Sequence, residues 1–268
     1  MKNHKKQLAE SAMEDERKYR APALEKGLDI LELLARNGSP MTTSQMAATL
    51  GRSVSELFRM VLALEYRGYI VASPEGREGY MLTNKLFTLG IAQGSARSLL
   101  EAALPAMKEL SREVGQSCHL VVASGDQIVV VARIESATDL GFSVRVGYRR
   151  SLPQAASGAV LYAFQPEDIR RRWEKLLDPE LSEAELEAFR AHADAVRQRH
   201  VELTPSRFVA GVTDISAPVM RGGMAAAALT VPYLKKLQPS LSPRETAVLV
   251  RQAADRISDQ LVEGDSRI

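Results

Sequence analysis

From Pro22 onward the apolar positions fall into short periodic runs, each closed by glycine or proline. Leu24, Leu28, Leu31 and Leu34 recur at helical spacing and predict one apolar stripe on a first helix. Asn37-Gly38-Ser39-Pro40 ends it. Two helix starts follow in quick succession: Thr42 with Gln45, and Ser53 with Glu56, each a Ser/Thr-x-x-Glu/Gln capping box. Met46, Ala47 and Leu50 give the first of these helices (Thr43 to Leu50) a small packing face. Leu57, Met60, Val61 and Leu64 give the second (Val54 to about Arg67) its buried side. The turn between them is only Gly51-Arg52, and two helices joined so tightly predict a helix-turn-helix. After Gly68 the period shortens to two. Tyr69–Ala72, a turn from Ser73 to Gly79 and Tyr80–Thr83 predict a β-hairpin, the wing.

Thr83 then caps a connecting helix from Asn84 to about Gln93. A further helix from about Ser98 carries Leu100, Leu104, Met107, Leu110 and Val114 on one face, with Pro105 kinking or restarting it. Beyond Gly115 the pattern predicts a hairpin, Ser117–Ala123 and Gln127–Ile134, and a third strand at Phe142–Val146. An Ala-rich helix runs from Pro153 to about Phe164. The Ser182/Glu185 capping box opens a long polar helix toward His200. Strands Val212–Val219 and Ala225–Val231 precede a last amphipathic helix, whose start combines a capping box with proline at its first position, Ser242-Pro243-Arg244-Glu245. Helices mixed with antiparallel hairpins predict an α+β fold: a winged helix-turn-helix over residues 21–83, a linker helix over 84–97 and a larger antiparallel-sheet domain over 98–264. Residues 1–20 mix charges without a period and read as a mobile arm.

Composition changes this picture in three places. The 268-residue chain exceeds the usual single domain, in keeping with two units, and its 5% aromatic content predicts aliphatic cores. One cysteine, Cys118, leaves no intrachain disulfide and suits a reducing compartment. No apolar segment follows the basic start and no stretch approaches the ~20 apolar residues of a membrane helix, so the expected location is cytoplasmic, without a membrane partner. The net charge is only +2, and residues 21–90 balance seven Lys/Arg against seven Asp/Glu. Any DNA-binding face must therefore concentrate its charge locally.

Sequence motifs argue against an enzyme or a cofactor. There is no G-x-S-x-G elbow, phosphate-binding Gly loop or H-E-x-x-H. Cys118 and His119 are adjacent, but neighbours on a strand point to opposite faces, which predicts a buried thiol beside a satisfied histidine. Two rival readings remain: a small-molecule hydrolase using Ser157 and Asp214, and a protein-interaction module using the N-terminal helices to oligomerise.

The order of elements resembles the IclR family of bacterial transcription regulators over nearly the whole chain. The resemblance rests on Leu24-Glu-Lys-Gly-Leu-Asp-Ile-Leu-Glu-Leu-Leu, Arg59-Met-Val-Leu-Ala-Leu-Glu-Tyr-Arg-Gly-Tyr-Ile and Leu86-Phe-Thr-Leu-Gly. In the second half it rests on Ala155-Ala-Ser-Gly-Ala-Val-Leu-Tyr-Ala and Gly211-Val-Thr-Asp-Ile-Ser-Ala-Pro-Val. It implies a DNA-binding winged helix, a linker helix used in dimer formation, a GAF-like effector domain, and homodimers or homotetramers on double-stranded operator DNA. It favours repression. Departures are local: Ser55-Glu56 stands where the family usually has Ser-Thr, Pro153 and Ala159 where it often has His and Lys, and Asp214 where many members carry an uncharged residue.

A recognition helix lays its N-terminal residues on base edges. This makes Arg52, Ser53, Ser55, Glu56 and Arg59 the DNA-reading candidates, with Arg77 at the wing tip. Glu56 has two readings, a cytosine acceptor or a capping residue, and Arg59 is either a base reader or the ion-pair partner of Glu56. The resemblance places the effector between the segment around Ala156-Ser157-Gly158 and the last two strands. There Gly158 permits close backbone approach, neighbouring N–H groups suit an anion, and Ser157, Asp214 and Thr230 supply polar groups. The expected effector is an organic acid or an aromatic metabolite. An ionised Asp214 would instead favour a hydroxyl or amine donor, or it is a solvated or capping carboxylate. For Ser157 and Thr230, local backbone bonding is the alternative.

Overall fold

The computed structural model describes residues 21–73, 78–92, 94–138, 141–177, 181–235 and 241–265. The chain divides into two compact units between residues 93 and 94. The expected N-terminal arm, residues 1–20, and most of the wing turn, with Arg77, lie outside the described residues.

The first unit contains α1 (Pro22–Asn37), α2 (Thr43–Leu50), α3 (Val54–Tyr66), a hairpin β1 (Ile70–Ala72) and β2 (Tyr80–Leu82), and α4 (Lys85–Ala92). Both predicted capping boxes form: Thr42 and Gln45, then Ser53 and Glu56, each exchange side-chain and backbone hydrogen bonds. Gly51 closes α2 at φ 63°, in the left-handed region where a Cβ is strained, and its N–H donates to Ala47 and Ala48. The chain then turns within two residues into α3. Thr83 caps α4 as expected, accepting from the N–H of Lys85.

The core of this unit is Ile30, Leu33, Leu34, Met41, Met46, Ala47, Leu57, Val61 and Ile70. This corrects the stripe expected on α1. Gly27, Ile30, Leu33 and Leu34 face inward, whereas Leu24 and Leu28 are 63% and 49% exposed. The helix carries two overlapping apolar rows, and the packing of α3 against it selects one of them.

The second unit is a six-stranded antiparallel sheet, ordered β5-β4-β3-β8-β7-β6, with helices on both faces. Its elements are α5 (Gly94–Val114), β3 (Cys118–Ser124), β4 (Gln127–Ile134), β5 (Arg149–Ser151), α6 (Ala156–Ala163), α7 (Glu167–Leu177), α8 (Glu183–Arg199), β6 (Glu202–Pro205), β7 (Val212–Arg221), β8 (Met224–Leu234) and α9 (Pro243–Asp265). A single 3-10 turn, Leu152–Gln154, leads into α6. Strand alternation sorts the two faces. Cys118, Leu120, Ile215, Ala217, Val219, Leu229 and Val231 pack with α5 and α9. Val121, Ile128, Val130 and Ala228 pack with α6 and α8 on the other side. A bonded network joins the helices of that second side: the Tyr162 hydroxyl donates to Glu174, and Arg190 grips the same carboxylate at 3.0 and 2.9 Å.

Three expectations for this unit need revision. Residues 142–146 are not a strand. The neighbour of β4 is β5, and the upstream segment joins it only through Gly147 and Tyr148, bonded to Val130. The alternating Phe142-Ser143-Val144-Arg145 pattern reflects a segment lying against a cavity, not a sheet edge. Two elements were not anticipated. Helix α7 carries Ile169, Trp173 and Leu177 at i, i+4, i+8, a signal masked by seven charged residues among its eleven. Strand β6 is four residues long, too short for alternation to register. Helix α5 begins at Gly94 and runs through Pro105.

Candidate functional site

The solvent face of α3 is defined by what the helix buries. Leu57 and Val61 point into the core, so Ser55, Phe58, Arg59, Leu62 and Tyr66 are exposed. Of the sequence candidates, Ser53, Ser55 and Glu56 cluster at the helix start, where Ser53 and Glu56 are already engaged while Ser55 is exposed and touches only Ser53. The Ser53 N–H and hydroxyl both donate to Glu56 Oε2 at 3.0 Å, and Ser55 Oγ lies 3.1 Å from Ser53 Oγ. The other Glu56 oxygen accepts from Lys26 at 2.9 Å. The Lys26 hydrogen bond, with those of Ser53, holds the Glu56 carboxyl down at about 2. Geometry thus assigns Glu56 to the cap and to α1, not to cytosine. Arg52 is likewise turned inward, donating to Asp29 of α1 at 3.0 Å with its Nε buried. Arg59 has neither an ion pair nor a hydrogen bond among the described residues, and the expected alternative, a pair with Glu56, is not formed.

The second unit encloses a cavity of about 370 Å³, within the range of small-ligand sites. Its floor follows from sheet register. His119 on β3 lies opposite Thr230 on β8, which lies opposite Ser216 on β7, and Asp214 sits two residues away on the same face. Here the α6/α8 face of the sheet changes from apolar to polar. Thr230 and Ser216 satisfy each other at 2.9 Å. His119 Nδ1 is buried without a partner, so the satisfied histidine expected from sequence is not what forms. Burial alone pushes the imidazole pKa down to about 4, keeping it neutral. Asp214 is partly buried. Desolvation raises its pKa, opposed by a hydrogen bond from Ser206. Cys118, on the opposite face, donates weakly to Met107 O, and burial lifts its thiol to about 12.

Ala156 and Ser157 line the cavity at the first turn of α6, and Arg133, Arg145 and Arg150 bring positive charge to its walls. The Arg150 guanidinium lies 4.2 Å above the Phe208 ring. Of the expected ligand-site residues, Ala156, Ser157, Asp214 and Thr230 converge here, and Gly158 does not. Its missing Cβ makes room for the Leu152 carbonyl, which a Cβ would approach to 2.0 Å, so the close approach is internal to the fold. Sequence reasoning missed His119, Phe142, Tyr148 and Phe208, which come together only through register and loop packing. Ser157, His119 and Asp214 share the cavity, but none hydrogen-bonds another. Asp214 is engaged by Ser206 and His119 Nδ1 by nothing, so no relay from carboxylate to hydroxyl is assembled.

The buried neutral imidazole has a measurable consequence. As pH falls, the unfolded chain takes up this proton near 6.5 and the folded chain only near 4. Stability from this group is therefore full above 6.5 and lost between 6.5 and 4, by about 2 kcal/mol at pH 5. The lowered carboxyls of Glu56, Glu185 and Glu245 act below their ordinary 4.5, outside most of this window. Urea unfolding at pH 7 and pH 5 is expected to show the loss in the wild type and to show most of it removed in His119→Asn. Equal losses in both would contradict the assignment.

Family models match both units. The IclR helix-turn-helix domain covers residues 23–74, and the bacterial transcriptional regulator IclR C-terminal domain covers residues 93–259. A helix-turn-helix unit ahead of an effector-binding sheet domain defines a ligand-responsive, DNA-binding transcription regulator. The chain belongs to the IclR family. It is 30% identical over 216 residues to the HTH-type transcriptional regulator KdgR of Escherichia coli, spanning 78% of this chain and 81% of the relative. Pseudomonas aeruginosa HmgR has a similar solved structure, with TM-score 0.69 and 26% identity over 90% of this chain and 99% of that one. An IclR homolog from Microbacterium hydrocarbonoxydans, solved with 4-hydroxybenzoate, shares the fold at TM-score 0.74 and 22% identity, again covering 90% and 99%. No described helix is long and apolar enough to cross a membrane.

Proposed function

We propose that the chain is a cytoplasmic repressor whose operator binding is changed by a small organic acid that also carries a hydroxyl, held in the 370 Å³ cavity. The observation that carries this reading is the unpartnered, buried Nδ1 of His119 on a cavity whose other walls are aliphatic, aromatic and arginine side chains with a few hydroxyls and the Asp214 carboxyl. A buried polar atom without a partner is costly, and a ligand group that completes it recovers that cost. A neutral imidazole nitrogen is donor or acceptor according to tautomer. A hydroxyl serves either, and it can also donate to Asp214. The carboxylate is assigned to the N–H groups of Ala156 and Ser157 and to the field of Arg145 and Arg150. The 4-hydroxybenzoate held by the Microbacterium hydrocarbonoxydans protein has this chemistry.

The DNA-reading set is Ser55 and Arg59 of α3, with Arg77 of the wing on the phosphates. Homodimers are supported by the exposure of Leu24, Leu28, Leu86 and Leu89 on α1 and α4. The chain binds its ligand without turning it over, because the cavity's serine, histidine and aspartate are not linked. The test is a thermal-shift screen of hydroxylated and plain aromatic and aliphatic acids. Hydroxy acids are expected to raise the melting temperature, and the gain should shrink in Asp214→Leu and His119→Leu. Stabilisation by the plain acids alone, unchanged in both variants, would contradict the assignment. Recovery of the ligand unaltered after long incubation separates binding from hydrolysis.

A further inference from the structure

We propose that Phe58 reads the C5-methyl group of thymine in the major groove, making the operator contact of α3 part apolar. The proposal rests on α3 being the DNA-reading helix. Helix position comes first. Counting 100° per residue, Ser55, Arg59 and Leu62 lie on the side opposite Leu57 and Val61, and Phe58 adjoins them one turn into the helix. Phe58 is 53% exposed, with Val54 and Leu62 beside it also exposed. The unit has a complete core without it, in which Leu57 and Val61 supply the α3 contribution. Local packing therefore does not explain this ring in water.

Charge comes second. In the first two turns of α3 the only acid is Glu56, which Lys26 and the cap neutralise, and the only cation is the unpaired Arg59. Arg52, just ahead of the helix, is committed to Asp29. The groups left to meet a base edge are one guanidinium, one serine hydroxyl and a phenyl ring. A face with a free cation, no free anion and a helix N-terminus complements a polyanion. Among base edges in the major groove, thymine alone offers an apolar group, its C5-methyl, and phenylalanine is one of the side chains suited to it. A protein partner fits less well, because Ser55 and Arg59 interrupt the apolar surface at the helix start.

The test uses the full chain. A duplex is first selected from a random library, and each thymine of the selected site is then replaced in turn by deoxyuridine, which removes only the methyl and keeps the base pair. Affinity is read by fluorescence anisotropy at fixed salt. Wild-type protein is expected to lose about three- to tenfold on replacement at one or two positions per half-site. Phe58→Ala is expected to bind the parent site about as weakly as the wild type binds the deoxyuridine site, and to ignore the replacement. Its melting temperature should match the wild type, since the ring packs against no core. A selected site with no methyl-dependent position, or a Phe58→Ala variant that still loses affinity on replacement, would overturn the proposal. So would a variant that dissociates the protein into smaller species with operator contacts unchanged, which would assign the ring to a second copy of the chain. Failure to select any sequence, with Arg59→Ala and Phe58→Ala binding DNA like the wild type, would instead remove α3 as the reading helix.

Discussion

Gly158→Ala is expected to destabilise the effector unit by at least ~3 kcal/mol, because no other described glycine has so close a neighbour where its Cβ would stand. The added Cβ would stand 2.0 Å from the Leu152 carbonyl oxygen and 2.7 Å from its carbon. Both are backbone atoms of the 3-10 turn that feeds α6, so no side-chain rotation relieves the clash. The turn and the helix must separate. Gly158 and its neighbours Val160 and Leu161 are buried beneath the sheet, so separation also opens the core. The melting temperature of the full chain is expected to fall by roughly 6–12 °C. The same displacement moves Ala156 and Ser157, and ligands that stabilise the wild type should no longer do so. A drop below about 2 °C with ligand response intact would mean that the turn yields easily, and that the close approach has no structural weight.

The second large effect is expected on DNA. Arg59→Ala should weaken binding of a selected operator by ~1–3 kcal/mol, a loss of about 5- to 150-fold. The side chain is the one unpaired cation at the start of α3, so the removal costs the fold little, unlike Arg52→Ala or Glu56→Ala, which break contacts to α1. Two outcomes can be told apart by titrating against salt. If Arg59 reads guanine, specificity relaxes at one base pair and the salt slope changes little. If it holds phosphate, binding weakens evenly over all sequences and the salt slope falls by about one. Unchanged affinity and specificity would take Arg59 out of the interface.

How far the sequence carried is clearest at particular residues. The winged helix was legible because its signals are local: capping boxes at Thr42 and Ser53 and a glycine turn at Gly51 depend on neighbours within four residues. The inward face of α1 was not, because Leu24, Leu28 and Leu31 form as good a row as Gly27, Ile30 and Leu34, and only the position of α3 decides between them. In the effector unit the same divide recurs. Ser157, Asp214 and Thr230 were found because the surrounding segments resemble a family. From sequence His119 reads as a satisfied core histidine, since nothing within its own strand reveals that β8 brings Thr230 opposite it while Thr230 turns to Ser216 instead. At Gly158 the sequence signals a close approach but not its partner, which is the Leu152 carbonyl six residues back and not a ligand. Arg52 and Glu56 read as DNA contacts because sequence places them at the helix start. Lys26 and Asp29, which claim them, lie about one helical turn apart on α1.

Filling the cavity of the second unit is expected to change what the first unit does on DNA. The most direct test is an anisotropy titration of the selected operator, at one salt concentration, with and without a hydroxy acid that raises the melting temperature. A saturating ligand is expected to shift operator affinity at least fivefold, and the shift should vanish in His119→Leu while operator binding without ligand stays as in the wild type. A ligand that stabilises the protein fully and leaves operator affinity unchanged would contradict the coupling, and with it the reading of this chain as a ligand-responsive repressor.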